Sequence, residues 1–349
     1  MWRPPVTQTI AEEVLRKHEK PAPLPRWQRA PLLLYGLVLI LLAVAVHLIG
    51  ALACGVADAI APGLVPPSWP GGLLLVSGGL ALPGGSLAAL DLLVLVHKKR
   101  QRHDVMMAPP SIRLLTVVLT AFNDEESIGL AVDDFRQHPL VKRVIVVDND
   151  STDHTASVAR EHGAIVVHES LPGYGRCVYR ALQEGLTYSD TELTLLCEGD
   201  MTFRSFDIEK FMSYIPHADI VNGTRIVEQL RAQRTQLTNF MYYGNFFVGK
   251  LLEAKHLGKG TFTDVGTTYK LCRNSALRAL LPFLRPSINL EFNAHFLDTA
   301  LSESVHIMEC PITFHGRVGL SKGGNTSNRR AFAVGMRMIR GILSGWPTA

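Results

Sequence analysis

The sequence has no Cys-x-x-Cys pair. Its five cysteines, Cys54, Cys177, Cys197, Cys272 and Cys310, are scattered and odd in number. That argues against a disulfide framework or a zinc site, favours a reducing compartment, and leaves packing within or beside apolar runs as their role. Neither Gly-x-Gly-x-x-Gly nor Gly-x-x-x-x-Gly-Lys-Ser/Thr occurs, so a Rossmann dinucleotide site and a P-loop are both unsupported. Net charge is only +4 over 349 residues, too little to imply a nucleic-acid partner. There is no internal repeat and no low-complexity segment, and the length suits one large domain or two small ones.

Charge is also missing locally. Residues 31–54, "PLLLYGLVLILLAVAVHLIGALAC", hold no lysine, arginine, aspartate or glutamate. At about 1.5 Å per helical residue they can cross a hydrocarbon layer of about 30 Å. A Pro/Gly-rich connector, "APGLVPPSWPGG", leads to a second apolar run over 72–96, weakened by Pro83, Gly84, Gly85 and by Asp91 near its far end. A cleaved signal peptide is not expected, since roughly thirty residues precede the first run without a small-residue cleavage site. No lysine or arginine lies between 30 and 97, whereas Arg26, Arg29 and "HKKRQRH" (97–103) flank the pair. The positive-inside rule then puts both flanks in the cytosol. The expectation is a cytosolic segment 1–30 and a two-helix transmembrane hairpin 31–97, in a multi-pass protein of the cell membrane.

From Ser111 onward short apolar runs alternate with amphipathic stretches. "LLTVVLTAF" (114–122), "VKRVIVVD" (141–148), "AIVVHE" (164–169), "ELTLLCE" (192–198) and "ADIVNGTR" (218–225) read as strands, with helices between them. Asp124 is placed to cap the first of those helices, and Ser151 or Asp153 the second. Continuous apolar strands separated by helices imply an α/β fold with a doubly wound, mostly parallel sheet. Ligands in such sheets bind beyond the carboxyl ends of the strands, where "AFNDEE", "DNDSTD", "EGD" and "GTR" all fall. Helical patterns follow at 234–254, rich in aromatics, and at 327–343, which is basic and amphipathic.

Two of these clusters suggest chemistry. Glu198-Gly199-Asp200 could hold a cation, move a proton or only start a turn. Two carboxylates with open positions suit Mg²⁺ or Mn²⁺, which take phosphate oxygens as remaining ligands and neutralise a diphosphate leaving group. Asp148 and Asp150 are candidates to accept hydrogen bonds from a nucleobase or ribose. "LPGYGRCVYRAL" (171–182), a glycine-containing loop entering a helix, is a weak anion-site signal by itself.

Taken in order, "LTAFNDEESI", "VVDNDSTDHT", "GYGRCVYRAL", "EGDM" and "VNGTR" resemble the family-two glycosyltransferases with the GT-A fold, particularly polyprenyl-phosphate sugar synthases of the dolichol-phosphate mannosyltransferase kind. The resemblance runs from about 114 to 325, and the glycosyltransferase domain is expected over 111–325. It implies that Thr120, Phe122 and Asp124 contact the nucleotide and that Asp148, Asn149 and Asp150 bind base and ribose. It also assigns Gly175 and Gly199 to the nucleotide-sugar site, Glu198 and Asp200 to the metal, and Arg225 to the catalytic set. Further on, "TDVGTTYKL" supplies Asp264 and Lys270, and "HGRVGLSKGG" supplies Arg317, Ser321 and Lys322 for the phosphates. Asn149-Asp150 replaces the family's usual Asp-Gly, and Glu198 replaces an aspartate, lengthening that carboxylate by a methylene.

The implied activity is inverting transfer of a sugar from a nucleotide sugar to a polyprenyl phosphate at the cytosolic membrane face. Alternatives are transfer to a hydroxyl of another membrane lipid or glycan, with Asp264 as the base, or a catalytically weak membrane scaffold. Segment 326–349 is expected as an amphipathic helix at the membrane interface.

Overall fold

The computed structural model describes residues 30–99, 105–233, 235–319 and 327–347. Two apolar helices come first, α1 (Leu32–Ile60) and α2 (Trp69–Lys99), each long and apolar enough to cross a membrane. They pack antiparallel. A Cβ on Gly36 would sit 2.5 Å from the Gly84 carbonyl oxygen, so the two backbones meet where only glycine fits. At the open end Asp91 is fully buried, accepts the Leu33 N–H at 2.7 Å and pairs with Lys99 at 2.6 Å. Lys99 also donates to the Ala30 carbonyl, so entry and exit of the hairpin are tied together. The acid near the far end of the second run is thereby neutralised locally.

The remaining chain forms β1 (Leu115–Ala121), α3 (Ile128–Arg136), β2 (Val141–Asp148), α4 (Thr155–Glu161), β3 (Ile165–His168), α5 (Tyr174–Gly185) and β4 (Leu193–Glu198). Then come α6 (Ile208–Tyr214), β5 (Ile220–Thr224), α7 (Asn239–Lys255), β6 (Lys270–Arg273), α8 (Asn274–Leu280), α9 (Phe292–Ser302), β7 (Ile307–Pro311) and α10 (Asn328–Ser344). The seven strands order as β3-β2-β1-β4-β6-β5-β7, all parallel to their neighbours except β6, which runs antiparallel to β4 and β5. This is the mostly parallel α/β sheet expected.

Strand alternation divides the core into two layers. Val117 and Leu119 face α3 and α6 through Val132, Phe135 and Phe211; Val118 faces α5, α7 and α9 through Val178, Val248 and Phe296. Packing both faces in this way presents the carboxyl ends of β1, β2, β4 and β5 along one edge of the sheet.

Asp124 does not cap α3. That helix begins at Ile128, and the Asp124 carboxylate instead accepts the Phe122 N–H at 3.1 Å and an Arg317 N–H. Asp153 does serve α4, accepting the Thr155 N–H at 3.0 Å.

Candidate active site

A cleft of about 800 Å³ opens at this sheet edge and continues between α7 and α10. Thr120, Phe122, Asp124, Glu198, Asp200, Arg225 and Arg317 all line it, so residues up to 197 positions apart converge.

The acidic end is tightly determined. Asp200 follows β4 and is 2 % exposed; one carboxylate oxygen accepts from the Thr202 N–H and hydroxyl, the other from Arg317 at 2.8 Å. Arg317 donates its second terminal nitrogen to Asp124 at 2.6 Å, forking between two carboxylates. Burial first, then the neighbouring Glu198 charge, pushes the Asp200 carboxyl up to about 7 despite Arg317. Two hard oxygen donors with surplus negative charge fit a divalent cation. Among the described residues no three His, Cys, Asp or Glu side chains converge to hold one, so water and phosphate oxygens would complete the shell.

Arg225 leaves the end of β5 into the cleft wall, gripped bidentately by Asp264 at 2.7 and 2.8 Å. Asp264 also accepts the backbone N–H groups of Arg225 and Gly266. Burial alone would raise this carboxyl, but Arg225 and the two amides outweigh it and hold it below its usual range. Asp264, the base expected for a hydroxyl acceptor, is thus fully engaged, 1 % exposed and absent from the cleft lining. It positions Arg225.

The other expected nucleotide contacts differ in how they stand to the cleft. The Lys270 ammonium is fully buried, turned toward the Thr267 carbonyl, Asn293 and the Phe296 ring rather than the cleft. Gly175 lies against α9's approach: a Cβ there would stand 1.6 Å from the Ile288 carbonyl oxygen, so its smallness serves packing. Gly199 lets the turn after β4 close on α3, where a Cβ would meet Ile128 at 2.5 Å. Asn149 lines the cleft, yet its amide is spent on Glu169, Leu171 and Gly173 backbone groups, fastening the 169–173 loop. Asp150 is exposed, with positive φ. Asp148 is 4 % exposed, and one of its carboxylate oxygens is buried without a hydrogen-bond partner. Like Asp264, Asp148 is not among the residues lining the cleft, so this acceptor sits behind the wall that Thr120 and Asn149 form. Ser321 and Lys322 lie outside the described residues.

Three polar residues were not anticipated: Tyr174 at the start of α5, Thr268 before β6, and Asn293 on α9. All line the cleft, and Thr268 donates to Glu198 at 2.7 Å. The only available signal was Tyr174's place in "GYGR"; Thr268 sits two residues before the lysine that motif matching selected.

The other end of the cleft is apolar. Phe240 and Phe247 of α7 and Phe332 and Met336 of α10 line it while remaining largely exposed, and Phe240 and Phe332 meet at 6.5 Å. Met241 and Val248 of the same aromatic segment are buried, so α7 is core on one face and surface on another. The same helix also touches α1.

Residues 116–281 match the family model described as glycosyl transferase family 2. An uncharacterised glycosyltransferase of Mycobacterium tuberculosis is 38% identical over 112 residues, 32% of this chain and 48% of that one. The chain thus spans about half the length of that curated relative. A dolichyl-phosphate hexose transferase of Haloferax volcanii is 26% identical over 209 residues, 60% of this chain and 86% of the relative. Among solved structures, glucosyl-3-phosphoglycerate synthase from Mycobacterium tuberculosis superposes with a TM-score of 0.51 at 17% identity, over 72% of this chain and 87% of that one. That likeness concerns the fold, which is of the GT-A type.

Proposed function

We propose that this chain, which carries a glycosyl transferase family 2 domain, is an inverting glycosyltransferase that moves a sugar from a nucleotide sugar to a polyprenyl phosphate at the cytosolic membrane face. The observation that carries the reading is the two-ended cleft: carboxylates and arginines at the strand ends run without interruption into an apolar channel beside a membrane-length helix. The dolichyl-phosphate hexose transferase named above supports a lipid-phosphate acceptor.

The donor's nucleoside lies over the ends of β1 and β2, against Thr120, Phe122 and Asn149, which line the cleft there. Its diphosphate faces Arg317, and Glu198 with Asp200 would hold Mg²⁺ or Mn²⁺ there; bound, the ion would neutralise charge on the departing diphosphate. Arg225, held by Asp264 through Nε and Nη2, has its Nη1 donors left for phosphate. An acceptor phosphate oxygen attacks the anomeric carbon opposite the leaving group; the new C–O bond forms as the old one breaks, and its electron pair leaves with the diphosphate. One displacement inverts the anomeric centre. A lipid phosphate is already an anion and needs no strong general base, which suits a site whose candidate base is locked onto Arg225. Positioning and electrostatic stabilisation by the arginines carry the catalysis.

The acceptor's chain lies in the channel between α7 and α10. The hairpin, with both ends cytosolic, and the arginines of α10 hold that channel at the inner leaflet. Membranes incubated with a panel of radiolabelled nucleotide sugars and polyprenyl phosphate, with and without EDTA, test this. An acid-labile labelled lipid, inverted by NMR and lost with EDTA, is the expected product; retention of configuration would refute the single displacement.

A further inference from the structure

Glu198 reaches one methylene farther than the aspartate usual at its position, so something must fix where its carboxylate sits. Its Oε1 accepts the Thr268 hydroxyl at 2.7 Å and lies 3.4 Å from the Tyr174 hydroxyl. Tyr174 and Thr268 are themselves in hydrogen-bond contact. Behind them the Asn293 amide nitrogen contacts the Tyr174 oxygen at 2.8 Å, the Thr268 oxygen at 3.2 Å and the Gly266 carbonyl at 3.2 Å. The Asn293 oxygen faces the Lys270 ammonium at 3.4 Å.

The polarity of this chain follows from its ends. A carbonyl only accepts, so the Gly266 oxygen orients the Asn293 amide with its N–H groups toward the two hydroxyls and its oxygen toward Lys270. Ionised Glu198 only accepts. Thr268, at 2.7 Å against 3.4 Å for Tyr174, is the better placed donor to Glu198, so Asn293 donates to Tyr174, Tyr174 to Thr268, and Thr268 to Glu198. We propose that Lys270, Asn293, Tyr174 and Thr268 are positioning residues that clamp Oε1 of Glu198 and leave Oε2 to the cleft, so that the longer carboxylate can serve as a cation ligand. Four separate segments contribute: the start of α5, the loop before β6, β6 itself and α9. Thr268 and Asn293 are 1 % and 3 % exposed, so bulk water does not substitute for either. This gives Lys270, buried away from the cleft, an indirect place in the site.

The inference rests on the metal reading above, and one experiment separates the two. Mn²⁺ binding to the full-length protein in detergent is followed by the electron paramagnetic resonance of free Mn²⁺, for wild type, Glu198→Ala, Thr268→Val, Thr268→Ser and Tyr174→Phe. The expected order is loss of this binding in Glu198→Ala, about tenfold weakening in Thr268→Val, severalfold in Tyr174→Phe, and near wild-type affinity in Thr268→Ser. Thr268→Val and Tyr174→Phe binding Mn²⁺ like wild type, while Glu198→Ala does not, would overturn the clamp and leave the metal reading standing. Wild-type affinity in Glu198→Ala would overturn both. Should Thr268→Val fail to fold, Tyr174→Phe decides alone, since it removes a hydroxyl from the same chain without emptying its volume.

Discussion

The two ends of the cleft are built on different principles. At the acidic end nearly every functional side chain has a fixed partner: Arg317 spans Asp124 and Asp200, Asp264 holds Arg225, and Thr268 holds Glu198. At the other end Phe240, Phe247, Phe332 and Met336 stand exposed on two helices with no polar anchoring. A charge-developing centre needs preset dipoles, whereas a lipid chain needs only apolar area and a shape that tolerates it. Damage at the first end should therefore act on turnover and stability, and at the second on acceptor affinity.

The largest effect expected is on chemistry. Glu198→Ala with Asp200→Ala should lower sugar transfer about a thousandfold, measured on initial rates at saturating donor. Next, Arg225→Met should cost about 3 kcal/mol in urea unfolding, because Asp264 is left charged and buried. Adding Asp264→Leu should restore much of that stability while activity stays low, which separates the pair's structural part from Arg225's contact with phosphate.

A pH effect comes third. Glu309 supports the Asp264 loop by accepting from Thr263 and the Asp264 N–H, and burial pushes its carboxyl up to about 7. The folded protein then keeps that proton to a higher pH than the unfolded chain does. Its stabilising contribution is complete below the ordinary carboxyl range and is lost as pH rises to about 7. Glu309→Gln should remove roughly 2 kcal/mol of stability loss between pH 5 and 7, seen by comparing chemical unfolding of variant and wild type. Asp200, whose carboxyl is also raised, keeps the same sign of slope in both proteins and cancels in that comparison.

The smallest effect should mark the apolar end. Phe240→Ser or Phe332→Ser should raise KM for a long-chain lipid phosphate about tenfold, with kcat and the KM for a short-chain acceptor little changed. An equal loss for both acceptors would erase the contrast between the two ends.

The same contrast explains what the sequence disclosed. Strand ends are legible because apolar runs stop abruptly at polar clusters, which puts Asp148, Glu198, Asp200 and Arg225 on one edge from the sequence alone. The two long apolar segments were equally plain. The partners of those residues were not, since pairing depends on which loops return to the edge. Asp264 matched a motif and looked like a base, but its loop turns it onto Arg225. Lys270 matched one too, but its side chain runs into the core. Asn293 had no signal at all, because α9 buries three polar residues, Asn293, His295 and Asp298, and only the fold decides which of them meets the cleft. The channel between α7 and α10 was half visible: both helices were expected, and their meeting was not, because the segments lie over seventy residues apart.

The central claim is that the nucleophile is a lipid phosphate. The direct measurement gives the purified, full-length protein a nucleotide sugar that it accepts, with polyprenyl phosphate or the matching free polyprenol offered separately. The account predicts labelled, acid-labile, inverted product from the phosphate and none above background from the alcohol. Transfer to the alcohol at a comparable rate would contradict it.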